Sequence, residues 1–137
     1  MNALDTLFTV QEIRREILRR QEHADTLRRL AERITPLLRD VQVRSSPDPA
    51  RLQSLLAGAA DEDAEILRLR QKLADFLPDC ALAIAGLPDR RLALLMEMRY
   101  LEGLSFPEIG AALCHSRSYI HKLHQQALLL LGNSPDS

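Results

Sequence analysis

Two runs of apolar residues, each stepping by threes and fours, constrain this chain more than any other feature. The first passes through Val10, Ile13, Ile17, Ala24, Leu27, Ala31, Ile34 and Leu38. The second passes through Leu52, Leu55, Ala59, Ile66, Leu69, Leu73, Phe76, Cys80 and Ala83. Such steps place every member on one side of a helix that turns about 100° per residue, so the two runs predict two long amphipathic helices. Each stripe has one polar interruption, Arg20 in the first and Glu62 in the second. Pairs such as Glu16 with Arg20 and Asp25 with Arg29 add i,i+4 support. Pro36 is placed to close or bend the first helix, and Pro78 to kink or divide the second. The stretch VQVRSSPDPA, 41–50, reads as a linker or wide turn between them. This arrangement fits an antiparallel helical hairpin or the strands of an oligomeric coiled coil, and periodicity alone does not separate the two. Cys80 falls on the stripe and reads as a small buried hydrophobe.

Composition agrees with an all-α chain. Hydrophobic residues make up 46% of the 137, yet there are only three Phe, two Tyr and no Trp. The apolar mass is aliphatic, which suits packed helices and argues against an aromatic-rich β-sandwich. Two cysteines are too few for a disulfide scaffold, so reduced thiols are expected. The opening MNALDTLFTVQEIRRE carries Asp5 and no basic segment before an apolar run, unlike a secretion signal, and no stretch reaches transmembrane length. A cytoplasmic protein with no membrane partner is expected.

After residue 87 the pattern changes. GLPDRR, 86–91, interrupts the second stripe, and Asp89 is placed to start a helix over about 90–102 that Gly103 ends. Ser105 and Glu108 then form a capping-box pattern, with Pro107 tolerated in the first turn of a short helix, about 106–113. Cys114 and His115 make a turn. Ser116 can cap a last helix, about 117–131, which ends at Gly132. A short helix, a three-residue turn and a longer helix are the pattern of a helix-turn-helix. Ile109 and Leu113 can meet Ile120 and Leu123 between the two helices, with Gly110 where they cross. The expected organisation is therefore an oligomerising helical region over 1–87, a helix-turn-helix domain over 88–132, and a disordered tail over 133–137.

The stretch RYLEGLSFPEIGAALCHSRSYIHKLHQQALLLL, 99–131, resembles the region-4 helix-turn-helix of bacterial sigma factors, lead-in helix and trailing leucines included. Residues 24–131 resemble a family of short phage and prophage proteins of Gram-positive bacteria. The resemblance includes ITPLLRDVQVRSSPDPARL (34–52) and LPDRR ahead of the module. It implies a DNA-binding fold and presumed transcription regulation. Cys114 stands where the family has its turn glycine; a positive φ at that position would cost about 1 kcal/mol.

On the last helix Ile120, Leu123, Ala127 and Leu131 form the inward face, leaving Ser118, His121, Lys122 and Gln125 outward, with Ser116 and Arg117 at the helix start. These six are the candidate DNA contacts. Arg117 suits guanine and Gln125 adenine, whereas Ser116, Ser118 and Lys122 suit phosphate. His121 is a further contact on the same face. Tyr119 lies at the flank and is expected to pack against the lead-in helix. Over 88–132, Arg90, Arg91, Arg99, Arg117 and Lys122 stand against Asp89, Glu97, Glu102 and Glu108, a net charge of +1. One module should bind DNA weakly, so a homodimer, a higher homo-oligomer or a partner such as RNA polymerase is expected to raise the affinity. The expected function is a sequence-specific regulator acting on double-stranded DNA. The alternative is a protein-binding factor whose helix-turn-helix does not touch DNA.

Neither catalysis nor a cofactor is indicated: there is no Gly-rich phosphate loop, no nucleophile with an evident base and no carboxylate cluster at metal spacing. The acidic run Asp61, Glu62, Asp63 and Glu65 points in several directions on a helix. Cys114, His115, His121 and His124 are close in sequence, but only His121 and His124 have a spacing that suits a metal ion. The cluster is expected to be a turn and a reading helix, with no metal.

Overall fold

The computed structural model describes residues 2–39 and 49–133. Among these residues there is no strand, and the helices are α1 (Ala3–Arg39), α2 (Pro49–Ala85), α3 (Arg90–Met96), α4 (Phe106–Leu113) and α5 (Arg117–Gly132), with a π-helical turn, Glu97–Leu101, following α3. The all-α expectation holds, as does a pair of long helices ahead of a short-helix module. The turn expected at 41–50 lies outside the described residues, apart from Pro49 and Ala50, which already belong to α2. Residues 134–137 of the tail also lie outside them.

Both internal prolines are accommodated within single helices. Pro36 sits inside α1 and Pro78 inside α2, and α2 is not divided. A proline removes one backbone donor, and a helix this long keeps its other hydrogen bonds.

The described chain forms two compact units, Met1–Arg14 with Lys72–Ser137, and Arg15–Gln71. In the second unit, α1 and α2 run antiparallel and pair within one chain. Ile17, Ala24 and Ala31 are buried on one helix, and Ala59, Ile66 and Leu69 on the other. Gly58 allows a close approach: a Cβ there would lie 3.1 Å from Leu27 Cδ1. The polar interruptions of the two stripes are partners. Arg20 Nη1 lies 3.2 Å from Glu62 Oε1, its Nε donates to Glu16 at 2.9 Å, and Arg28 pairs with Asp63. Partly exposed pairs of this kind contribute about 0–1 kcal/mol each, so the aliphatic stripe carries the stability and the ions help to set the register.

The first unit is built around one aliphatic core. Leu7 and Val10 of α1, Cys80 and Ile84 of α2, Leu92, Leu95 and Met96 of α3, Ile109 of α4, and Ile120, Leu123, Ala127 and Leu131 of α5 are all buried in it. Leu7 lies one step before the first stripe as read from sequence, and it is fully buried. Cys80 is the buried hydrophobe its position suggested; its Sγ points at Thr6 O, 3.9 Å away, and burial pushes its thiol up to about 11. Gly132 is the last residue of α5 and does not terminate it by positive φ. A Cβ there would lie 3.1 Å from Leu4 Cδ1, so its role is to let α1 approach.

Candidate nucleic-acid interface

The candidate interface begins with how α3 ends. The expected helix over 90–102 changes at Glu97 into a π-turn, in which Glu102 N–H donates to Glu97 O at 3.0 Å. The wider turn keeps residues four apart nearly in line, so Tyr100 follows Met96 into the core and is buried. Arg14 of α1 closes this end by donating to Tyr100 O and, at 2.9 Å, to Leu101 O. Gly103, at φ +78°, leaves room for that guanidinium: a Cβ there would lie 2.9 Å from Arg14 Nε.

Helix α4 opens with the full capping box. Ser105 Oγ accepts from Glu108 N–H and Glu108 Oε1 accepts from Ser105 N–H, each at 3.2 Å. The hydrogen bonds from Ser105 hold the Glu108 carboxyl below its usual range. At the other end Cys114 adopts φ 58°, ψ 42°, and is the one non-glycine with positive φ among the described residues. The N–H groups of Cys114 and His115 both donate to Gly110 O. A Cβ on Gly110 would meet His115 O at 3.1 Å and Ile120 Cγ1 at 3.9 Å. The tightest limit on that position is therefore the turn carbonyl, with the crossing helix behind it. Ser116 caps α5 by accepting from Tyr119 N–H at 3.2 Å.

These constraints fix the outer face of α5. Ile120, Leu123, Ala127 and Leu131 are buried, while Arg117, Ser118, His121, Lys122 and Gln125 are exposed on the opposite side. Ser116 is exposed at the helix start, where its oxygen serves as the cap. All six candidate residues thus share one end or one face of α5.

His121 differs from the others in being tethered. Its ring lies 4.7 Å from Phe106, which also meets His124 edge-on at 5.0 Å and carries the Arg99 guanidinium 4.3 Å above its face. His124 turns inward, with Nε2 2.8 Å from Tyr100 Oη. Burial first, then the nearby Arg99 and His121, push its imidazole down to about 4. Among the described residues no group of three or more His, Cys, Asp or Glu side chains could hold a metal ion.

Arg91 is a residue the sequence reading did not single out. Its Nη1 donates to Tyr119 Oη at 2.9 Å, and its Nη2 lies 3.1 Å from Asp89, which also caps α3. This places a largely exposed guanidinium beside the first turn of α5 and anchors Tyr119 to the lead-in helix. The contact spans 28 residues of sequence; the expected packing of Tyr119 against the lead-in helix is met, and its partner Arg91 is the part the sequence reading did not name. With Arg99 folded over Phe106, the exposed cations at this end are Arg90, Arg91, Arg117 and Lys122.

Comparison with known families matches residues 83–131 to Sigma-70, region 4. The matched stretch contains α3, the π-turn, α4 and α5, so the C-terminal module is a sigma region-4-like helix-turn-helix, a DNA-binding type of module. No curated protein and no solved structure gave a match. Among the described residues, no helix is long and apolar enough to cross a membrane.

Proposed function

We propose that this chain is a sequence-specific, non-enzymatic regulator of transcription that places α5 in the major groove of double-stranded DNA. The observation that carries this reading is the exposed face of α5, with Arg117, Ser118, His121, Lys122 and Gln125 opposite a buried aliphatic seam. In such a module the N-terminal part of the second helix reads base edges. Arg117 can donate two hydrogen bonds to guanine and Gln125 can pair with adenine. Ser116, Ser118 and Lys122 contact phosphate, assisted by the free N–H groups of the helix start. Arg91 flanks the same end and adds a phosphate contact. His121 reaches the groove from the α4 side.

The module's charge of +1 makes a single copy a weak binder, so we assign the working form to a homo-oligomer that presents two modules. RNA polymerase is the protein partner we assign, because region 4 also meets the polymerase in sigma factors. A cytoplasmic location and a phage or prophage origin complete the reading, the latter on the resemblance of residues 24–131 alone.

Selection from a random DNA pool, followed by fluorescence anisotropy at several salt concentrations, tests the proposal. Wild-type protein should enrich a defined site. Arg117→Ala should relax selection at one base pair, costing about 1–3 kcal/mol there. Lys122→Ala should weaken all sequences alike and reduce the salt slope by about one. If wild-type protein binds no duplex even at low salt, the DNA reading fails and the module is a protein-binding surface.

A further inference from the structure

The hairpin unit, Arg15–Gln71, carries an open groove that packing within the chain does not fill. Its volume is about 500 Å³, and it is lined by Gln21, Ala24, Asp25 and Arg28 of α1 with Asp63, Ile66, Leu67 and Arg70 of α2. Ala24 and Ile66 are buried and form the floor. The small side chain of Ala24 leaves the space. On the rim Leu67 is 67% exposed. Together with the Ala24 and Ile66 floor, this leucine makes a local apolar surface of the kind that a partner surface can cover.

The rim charges indicate what that partner is. Because the helices run antiparallel, Arg28 and Asp63 lie together at one end of the groove and Gln21 and Arg70 at the other, with Asp25 between. Arg28 and Asp63 pair with each other. Asp25 and Arg70 form no ion pair among the described residues. The rim therefore holds two acids and two bases; with Arg28 and Asp63 paired, the acid left over is Asp25 near the middle and the base left over is Arg70 at the far end. A two-fold axis across this face can set Arg70 of one copy against Asp25 of the second, twice over. Such a face complements itself.

We infer that this groove is where a second copy of the chain docks, Leu67 of each hairpin entering the other's groove and Arg70 meeting Asp25 across the interface. The product is a four-helix arrangement of two hairpins, a packing that covers exposed apolar stripes. The inference rests on the homo-oligomer assigned above and is independent of whether α5 binds DNA.

The mass of the full chain in solution, by sedimentation equilibrium without DNA, tests it. Wild-type protein should have twice the chain mass at micromolar concentrations. Leu67→Glu should raise the dissociation constant at least about tenfold. Arg70→Asp should also weaken the dimer, and adding Asp25→Arg should recover most of the loss. Circular dichroism should show unchanged helicity in each variant, since the substituted side chains are exposed. A wild-type monomer at every concentration overturns self-association and leaves the groove to a different partner. A wild-type dimer that none of these substitutions weakens overturns the assigned face alone.

Discussion

Cys114 holds the left-handed conformation that closes the helix-turn-helix, at φ 58° and ψ 42°. A side chain in that region crowds the following carbonyl, at a cost of about 1 kcal/mol relative to glycine. Cys114→Gly should therefore raise stability by about 1 kcal/mol, read as a shift in urea midpoint at constant slope. An unchanged or lower midpoint would mean that the Sγ, 4.0 Å from Ala111 O, compensates for the backbone cost. His124 supplies a second residue-scale prediction. Its imidazole is pushed down to about 4 by burial, with Arg99 and His121 adding to the effect, so the fold favours the neutral ring. The unfolded chain takes up the proton near pH 6.5 and the folded chain only near 4. The stabilising contribution is thus complete above about pH 6.5 and is lost as pH falls toward 4. With allowance for the ring's partial exposure, the loss is roughly 2 kcal/mol over that window. Urea titrations at pH 7 and pH 5 should show the drop in wild type, and His124→Gln should reduce it. Equal drops in both proteins would place the titration elsewhere.

At the scale of elements, the caps of the two helices of the helix-turn-helix are the parts most open to substitution. Ser105 serves both halves of the α4 capping box, and α4 has only eight residues over which to recover a lost cap. Ser105→Ala should cost about 1 kcal/mol, and Ser116→Ala a similar amount at α5. Thermal melts of the two single variants and the double variant would measure this; changes within the noise at both sites would show that tertiary packing alone sets the helix ends. Both caps were legible in the sequence because a cap is a local signal, a hydroxyl placed three residues before the N–H it serves. The inward face of α5 was legible in the spacing of its apolar residues, and the strained turn at Cys114 through the resemblance to a family with glycine there. The π-turn at Glu97–Leu101 was not. It depends on Arg14, 86 residues from Tyr100 in sequence, donating to the carbonyls the turn leaves over. The continuous run of α2 past Pro78 was likewise hidden, since a proline's effect depends on how well the rest of the helix holds.

The first unit shows why the reach of the helix-turn-helix module was harder to read than its motif. The sequence changes character at GLPDRR, yet the core that holds α3, α4 and α5 also takes in Leu7, Val10, Cys80 and Ile84 from the long helices. Stripe periodicity indicated that Val10 and Cys80 are inward; it could not indicate that Leu95 and Ile120 share their core. Burying each such side chain contributes about 1.5–3 kcal/mol, and four of them approach the whole margin of about 5–15 kcal/mol for a small domain. A fragment beginning at residue 88 loses all four, together with both Arg14 hydrogen bonds to the π-turn. Such a fragment should show much lower helicity at 25 °C than the same residues in the full chain, and no cooperative melt. In the full chain, Leu7→Ala should cost about 2–5 kcal/mol although Leu7 lies 109 residues before Ser116. Circular dichroism of the fragment and urea unfolding of the variant test the two statements separately. A fragment that melts cooperatively at the full-chain temperature would show that α3, α4 and α5 are self-sufficient. The Leu7 contact would then serve to fix α5 in place rather than to hold the module folded.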